Sequence, residues 1–232
     1  MNDDNDLQKI FASTGAKYGY LNVEAAFVDC CDVKIKWMRS GTTIRFWITD
    51  YLKDAPEDIL ESLAETLFEK MYKDADAGYS DEFLEYVSSD GFVQENQPIY
   101  LSRLEGASAS PVGRYKDLRG CIGRLIERGL IEPLPQTYLG WLPLGLEDCI
   151  GHTSSIMRCA CINTRLDREN VPDDVLDFCV YVQMLRIQQK FGVAGGESRR
   201  QFRKKIGEYP DSMRLMEEMG GFGLSLMNEV SP

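Results

Sequence analysis

The residues that could do metal or thiol chemistry are few, and they lie close together in the sequence. His152 is the only histidine among 232 residues, and Cys159, Cys161 and Cys179 follow it. Residues i and i+2 of a strand point to one face, so Cys159 and Cys161 could offer two thiolates to a soft metal ion. The alternative is that these cysteines are small buried apolar side chains, as free cysteines usually are. We favour the alternative, and we predict no bound metal and no cofactor.

A single histidine excludes much hydrolytic chemistry. Histidine-rich zinc sites and the HExxH helix of the zincins each need at least two imidazoles. Catalysis by His152 would need a nucleophile or carboxylate partner, and the sequence places none beside it. We therefore interpret His152 as an ordinary loop residue next to a strand.

Composition and charge narrow the class of protein. A hydrophobic content of 44% and a charged content of 27% are typical of a soluble globular chain. The net charge of −11 disfavours nucleic-acid binding, because an acidic surface repels phosphates. No apolar run has the length of a membrane span, and the acidic N-terminus does not resemble a signal peptide. Seven cysteines without a disulfide framework favour a reducing compartment, so we predict a cytoplasmic location.

Hydrophobic periodicity in the first half of the chain predicts strands followed by helices. Residues 21–28 and 32–50 alternate as strands do, with RSGT at residues 39–42 as a turn. Residues 54–72 have the spacing of an amphipathic helix, and residues 81–87 that of a shorter one. We predict a flexible segment over residues 1–15 and a single domain over residues 16–232.

The second half alternates between helices and strands, which favours an α+β fold with one small mixed or antiparallel sheet. The polar residues 88–112 are predicted to form a long surface connection with a strand near residues 99–104. The later elements are a helix closing near Gly129, strands in residues 137–145 and 154–163, a helix over 171–191, a basic helix from Ser198 and a Met-rich last helix.

The segment INTRLDRENVPDDVLDFCVYVQMLR, residues 162–186, resembles the core of the SprT-like, minigluzincin-type zinc metallopeptidase domains. In those domains the same pattern leads directly into HExxH on the zinc-binding helix. Weaker similarity in residues 44–71, in residues 113–125 together with 138–141, and in residues 198–211 extends the resemblance to roughly residues 43–215. The resemblance implies a zincin-like domain in which a small mixed or antiparallel sheet packs against helices that include a degenerate active-site helix.

The residues at the HExxH positions cannot perform the family's chemistry. Val182 has no lone pair for zinc, Gln183 cannot accept a proton as a general base, and Arg186 brings a permanent positive charge. Near the place of the third zinc ligand stand Glu197 and Ser198. Arg186 is expected to face a carboxylate or a carbonyl, because an unpaired buried guanidinium is costly.

The resemblance therefore predicts a pseudo-peptidase that acts as a binding or regulatory module. Relatives bind substrate peptides along an edge strand beside the zinc helix, and the vestigial cleft is expected to hold a partner peptide in the same way. The edge would lie in residues 139–145 or 156–162. Two alternatives are an enzyme with altered chemistry, using a cysteine-based metal site or a reactive thiol, and a structural or oligomeric component.

Overall fold

The computed structural model describes residues 2–72, 78–108, 110–143, 148–189 and 196–226, and these form two compact units, Met1–Phe92 and Val93–Pro232. The predicted α+β class is confirmed. The prediction of one small sheet is wrong, because the strands form two separate three-stranded mixed sheets. The sequence predicts one domain over residues 16–232, whereas the division into units falls near Phe92. Within the described ranges, no helix has the length and hydropathy to cross a lipid bilayer.

The first unit consists of a mixed sheet and the helices on one of its faces. Its elements are α1 (Asp4–Lys17), β1 (Asn22–Val28), β2 (Ile35–Ser40), β3 (Thr43–Thr49), α2 (Glu57–Tyr72) and α3 (Asp81–Ser88). The strand order is β1-β3-β2, with β1 parallel and β2 antiparallel to β3. Alternation buries Phe46 on the face where Phe11 of α1 and Phe68 of α2 contact its ring.

Helix α1 occupies most of the segment that is predicted from the sequence to be a flexible N-terminus. The Asp3 side chain caps it by accepting hydrogen bonds from the N–H groups of Asn5 and Asp6, at 2.8 and 3.0 Å. Leu7 and Phe11 are fully buried one turn apart. The structure therefore has a packed, capped helix over these residues.

The second unit is built around one central helix. Its elements are α4 (Asp90–Arg103, which begins in the first unit), α5 (Leu118–Glu127), β4 (Tyr138–Leu142), β5 (Gly151–Ser154), β6 (Cys159–Asn163), α6 (Asp173–Ile187), α7 (Gly196–Glu208) and α8 (Ser212–Gly221). The strand order is β4-β6-β5, with β4 parallel and β5 antiparallel to β6. Twelve of the fifteen residues of α6 are buried, so this helix has almost no solvent face. Residues 190–191 of the predicted helix lie outside the described residues.

The prediction of a surface connection with a strand near residues 99–104 is wrong, because α4 covers Asp90–Arg103. Pro98 lies inside this helix and removes one backbone donor. Burial explains why the helix forms despite that loss: Phe92, Val93 and Tyr100 are at most 2% exposed. The apolar residues were too few among polar neighbours to reveal this pattern.

Asp167 holds the segment that precedes α5. Its carboxylate accepts hydrogen bonds from three consecutive backbone N–H groups, those of Arg114, Tyr115 and Lys116, at 2.6, 2.9 and 3.0 Å. A Cβ atom at Gly113 would lie 2.6 Å from this carboxyl group, so only glycine fits here. One side chain thereby ties residues 113–116 to the segment that leads into α6.

Candidate functional site

The positions at which the resemblance expects zinc ligands and a base lie on α6. Val182 and Gln183 are fully buried, and Arg186 is partly buried. A buried isopropyl group and a buried amide offer neither a metal ligand nor a proton acceptor. Chemistry at these positions would also have to proceed within the packed core rather than at a surface.

The Gln183 side chain fills the space between α6 and β5. Its side-chain oxygen accepts a hydrogen bond from the Thr153 hydroxyl. A Cβ atom at Gly151 would lie 3.2 Å from Gln183 Cδ and 2.5 Å from the carbonyl oxygen of Cys161. The glycine thus lets β5 come close enough to α6 for this contact. Gln183 Nε2 makes no hydrogen bond with any described residue.

Arg186 lies at the end of α6 beside α7. Its guanidinium carbon is 5.5 Å from the centroid of the Phe202 ring, within the range of a cation–π interaction. A fixed positive charge at this position repels a divalent cation. The carboxylate or carbonyl partner expected for Arg186 stays a prediction.

The residues near the expected third ligand give little support for a metal site. The side chain of Glu197 lies outside the described residues, as does most of the Gly-rich segment before it. Ser198 lines a cavity of about 260 Å³ between the ends of α6 and α7, together with Gln188, Gln189 and Gln201. The polar lining consists of neutral amides, a hydroxyl and the Lys205 ammonium group; the first two are weak ligands for zinc and the third repels a cation.

The four residues of the alternative metal site lie on two sides of the second sheet. His152 pairs with Cys161 across the β5–β6 ladder, so the two side chains share a face, and Cys159 shares it by alternation. Thr153 contacts Gln183 of α6 and therefore points to the opposite face. Cys179 belongs to α6 and to the core on that opposite side. The sheet thus separates Cys179 from the other three residues.

The two strand thiols are held in the protonated form. Burial raises the pKa of the Cys161 thiol to about 11 and raises the pKa of Cys159 further still. The Cys159 thiol lies 3.1 Å from the carbonyl oxygen of Met157, which accepts its hydrogen bond. Nucleophilic attack and metal ligation both need the thiolate, and the raised pKa values of the two thiols make the thiolate scarce. Among the residues that the structure describes, no three His, Cys, Asp or Glu side chains are arranged to hold a metal ion.

His152 lies in β5 and not in a loop, so that prediction is wrong. Its Nε2 atom is 2.6 Å from the hydroxyl oxygen of Tyr100, and the two rings are nearly parallel, with centroids 6.3 Å apart. Tyr100 is fully buried on α4. The histidine therefore attaches α4 to the sheet, which is a structural role.

An ion pair that the sequence does not predict joins α5 to α6, and its carboxylate is buried. Arg124 donates two hydrogen bonds to Asp177, from Nε at 2.8 Å and from Nη2 at 2.6 Å. The Asp177 side chain is 4% exposed and the Arg124 side chain 43% exposed. The hydrogen bond with Asp177 raises the pKa of Arg124 above its ordinary value. The sequence signal for this ion pair was Asp177, an aspartate whose neighbours in the helix are mostly apolar.

An apolar cavity of about 460 Å³ lies between α5, the connection after it and β4. Its walls include Ile122 and Ile126 of α5, Leu134 and Leu139. Helix α6 contributes Met184 to the lining, but Val182, Gln183 and Arg186 do not line it. The cavity therefore adjoins β4, and it does not adjoin the positions at which zinc ligands were expected.

One edge of β4 is partly open. The backbone oxygen of Trp141 accepts a hydrogen bond from the N–H of Ser108 at 2.8 Å, so the backbone groups of Trp141 point away from β6. Alternation points the N–H and C=O of Leu139 in the same direction. Neither group is hydrogen-bonded within the described part of the chain. The alternative prediction, that residues 156–162 form the edge, is wrong because β6 is the central strand of the sheet.

No protein-family model, curated protein or solved structure matches this chain. Its function has to be inferred from the buried positions on α6, the edge of β4 and the cavity beside it.

Proposed function

We propose that this protein is a catalytically inactive, metallopeptidase-like protein with a zincin-like fold, and that it serves as a binding or regulatory module for an extended peptide. The observation that carries the proposal is the open backbone edge at Leu139, which lies directly beside an apolar cavity of about 460 Å³. Backbone groups at a strand edge supply affinity, and a pocket beside them supplies selectivity.

The proposed loss of catalysis rests on the chemistry of α6. Zinc-dependent hydrolysis needs metal ligands and a base that can take a proton from the metal-bound water. Val182 and Gln183 supply neither, and both are fully buried. Arg186 adds a positive charge, where a zinc site would require neutral imidazole.

The proposed peptide adds to β4 at Leu139. It would hydrogen-bond to the N–H and C=O of Leu139, just beyond the point where Ser108 already pairs with Trp141. Side chains of an extended peptide alternate, so every second one would point into the cavity between Ile126 and Met184. A cavity of this size suits one or two large aliphatic or aromatic side chains. This places the peptide beside β4, away from Val182 and Gln183.

Selection of binders from a random peptide library on the full chain tests the proposal. We expect peptides with large apolar residues at alternate positions. Ile126→Trp fills the cavity, and Leu139→Pro removes the outward N–H without removing a β4–β6 hydrogen bond. Each variant should weaken binding at least about tenfold, as measured by fluorescence anisotropy.

The matched control is Ile99→Trp, which places the same side chain at a 45% exposed isoleucine of α4 outside the cavity. It should bind as the unchanged chain does, and circular dichroism should show the same helix content in all variants. The binding proposal fails if no peptide is selected, or if the selected peptides bind Ile126→Trp and Leu139→Pro as tightly as they bind the unchanged chain. Cleavage of a selected peptide in the presence of zinc would overturn the proposed loss of catalysis.

The second candidate is an enzyme with altered chemistry, and one observation favours it: His152, Cys159 and Cys161 share a face of the second sheet. The raised pKa of both thiols counts against it. Elemental analysis of the purified chain separates the two candidates. One zinc per chain that is lost in Cys159→Ser/Cys161→Ser would favour this candidate over the pseudo-peptidase.

A further inference from the structure

Strand β2 is an outer strand of the first sheet and is exposed on both faces. Five of its six residues are exposed, whereas β1 and β3 alternate between buried and exposed positions. Trp37 and Met38, which point to opposite faces, are 48% and 49% exposed. Two large apolar side chains on an outer strand are unusual in a protein with no use for that edge.

The backbone of β2 also offers hydrogen-bonding groups to a further strand. The two-residue turn pairs Ser40 with Thr43, so Ser40, Met38 and Lys36 exchange hydrogen bonds with β3. The N–H and C=O groups of Ile35, Trp37 and Arg39 consequently point outward. None of these outward groups finds a backbone partner within the described ranges. An added strand could therefore pair over five residues.

The charge of β2 is opposite to that of the whole chain. The strand carries Lys36 and Arg39 and no acidic residue, whereas the chain has a net charge of −11. Arg39 lies 5.7 Å from the centroid of the Tyr20 ring, and neither cation forms an ion pair with the described residues. A second copy of β2 would bring four cations into one ladder, which is unfavourable. An acidic strand would compensate both charges.

We propose that β2 is a docking edge for an extended acidic peptide segment of a partner protein. Lys36 and Met38 lie on one face of the strand, and Trp37 and Arg39 lie on the other. The residues of a paired strand opposite these four would be acidic, apolar, apolar and acidic in order. This pattern reads the same in both directions, so it holds for either strand polarity.

Fluorescence anisotropy with the full chain tests the proposal. The probe is a labelled octapeptide with Glu-Val-Val-Glu at its centre, and the comparison peptide has Lys-Val-Val-Lys there. We expect the acidic peptide to bind at least about tenfold more tightly, with an affinity that falls as salt is added. Lys36→Glu/Arg39→Glu should lose the acidic peptide and gain the basic one, because the charges are exchanged.

The matched control is Arg203→Glu/Lys204→Glu, the same change of charge at two exposed residues of α7, and it should leave both affinities unchanged within about twofold. Trp37→Pro removes one outward N–H and no ladder hydrogen bond to β3, so it should weaken the acidic peptide while the circular dichroism spectrum is retained. Equal binding of the two peptides, or no exchange of preference in the charge-reversed variant, overturns the proposal. A dimer in sedimentation velocity that Trp37→Pro abolishes would instead identify a second copy as the occupant.

Discussion

Thr153 of β5 donates a hydrogen bond to the side-chain oxygen of Gln183 on α6, and the fully buried glutamine lies against Gly151 of the same strand. From the resemblance to zinc metallopeptidases, a catalytic glutamate would be expected at the position of Gln183. Here the residue is a packing element between the central helix and its sheet.

The Thr153–Gln183 pair should couple energetically. Thr153→Val leaves the buried Gln183 oxygen without its donor and should lower the free energy of unfolding by about 1–3 kcal/mol. Gln183→Met keeps the volume and removes the buried polar group, so the double variant should cost less than the sum of the two single variants. Urea unfolding of the four chains measures this coupling. Strict additivity of the two changes would mean that the hydrogen bond contributes nothing.

The ion pair between Arg124 and Asp177 should respond differently to removal of each partner. Arg124→Met leaves a carboxylate that is 4% exposed without its cation and should cost about 3–5 kcal/mol. Asp177→Asn leaves an arginine that is 43% exposed and reaches water, so its cost should be smaller. Unfolding by urea at pH 7 compares the two variants. Equal losses, or a larger loss in Asp177→Asn, would contradict the assignment of the buried charge to Asp177.

The close approach of β5 to α6 should depend on glycine at position 151. A Cβ atom there would lie 3.2 Å from Gln183 of α6 and 2.5 Å from the carbonyl oxygen of Cys161 in β6, so Gly151→Ala should destabilise the chain by about 1–3 kcal/mol. Gly207→Ala is the control, because a Cβ atom at this exposed position of α7 meets nothing within 4 Å. The control should stabilise the chain by up to about 1 kcal/mol, since alanine has a higher helix propensity than glycine. Thermal unfolding followed by circular dichroism distinguishes the two signs.

The start of α6 should make the chain sensitive to acid. Hydrogen bonds from Lys116 to Asp173 and from Arg214 to Asp174, both 2.7 Å, lower the pKa of each carboxyl below its ordinary value. The ionised forms therefore stabilise the fold fully above the ordinary pKa of about 3.9, and this contribution is lost as the pH falls through the lowered pKa values.

The acid effect should be modest, because both carboxyls are largely in contact with water. Asp173→Asn/Asp174→Asn should remove about 0.3–1 kcal/mol per residue at pH 7 and little at pH 2. Glu127→Gln/Glu132→Gln removes the same number of charges away from a helix N-terminus and is the control for the change in net charge. Urea unfolding at the two pH values measures the difference. An equal loss at both would show that ionisation is not the cause.

The sequence predicted those elements whose signals are local. The hairpin of β2 and β3 followed from alternation around a short turn, and α6 followed from a clear start at Pro172 and a dense apolar content. Helix α1 also has a local signal: Asp3 as a cap, then Leu7, Ile10 and Phe11 at helical spacing. Charged neighbours made the segment look like a loose terminus.

The site could be predicted only in part, because its geometry depends on contacts between distant residues. Sequence alone placed Val182, Gln183 and Arg186 on one helix. It could not show that Thr153, thirty positions away, would reach Gln183, or that β6 would be central and β4 an outer strand. Strand order is set by packing between elements, for which no local pattern exists.

The three hydrogen bonds to Asp167 should couple the hydrogen exchange of the backbone amides in the segment before α5. The amides of Arg114, Tyr115 and Lys116 lie in a loop, where hydrogen exchange with solvent is ordinarily fast. One shared acceptor means that they are released together, so their exchange rates should rise and fall as a group. A single side chain thus turns three loop amides into one cooperative unit that opens or stays closed with the segment leading into α6.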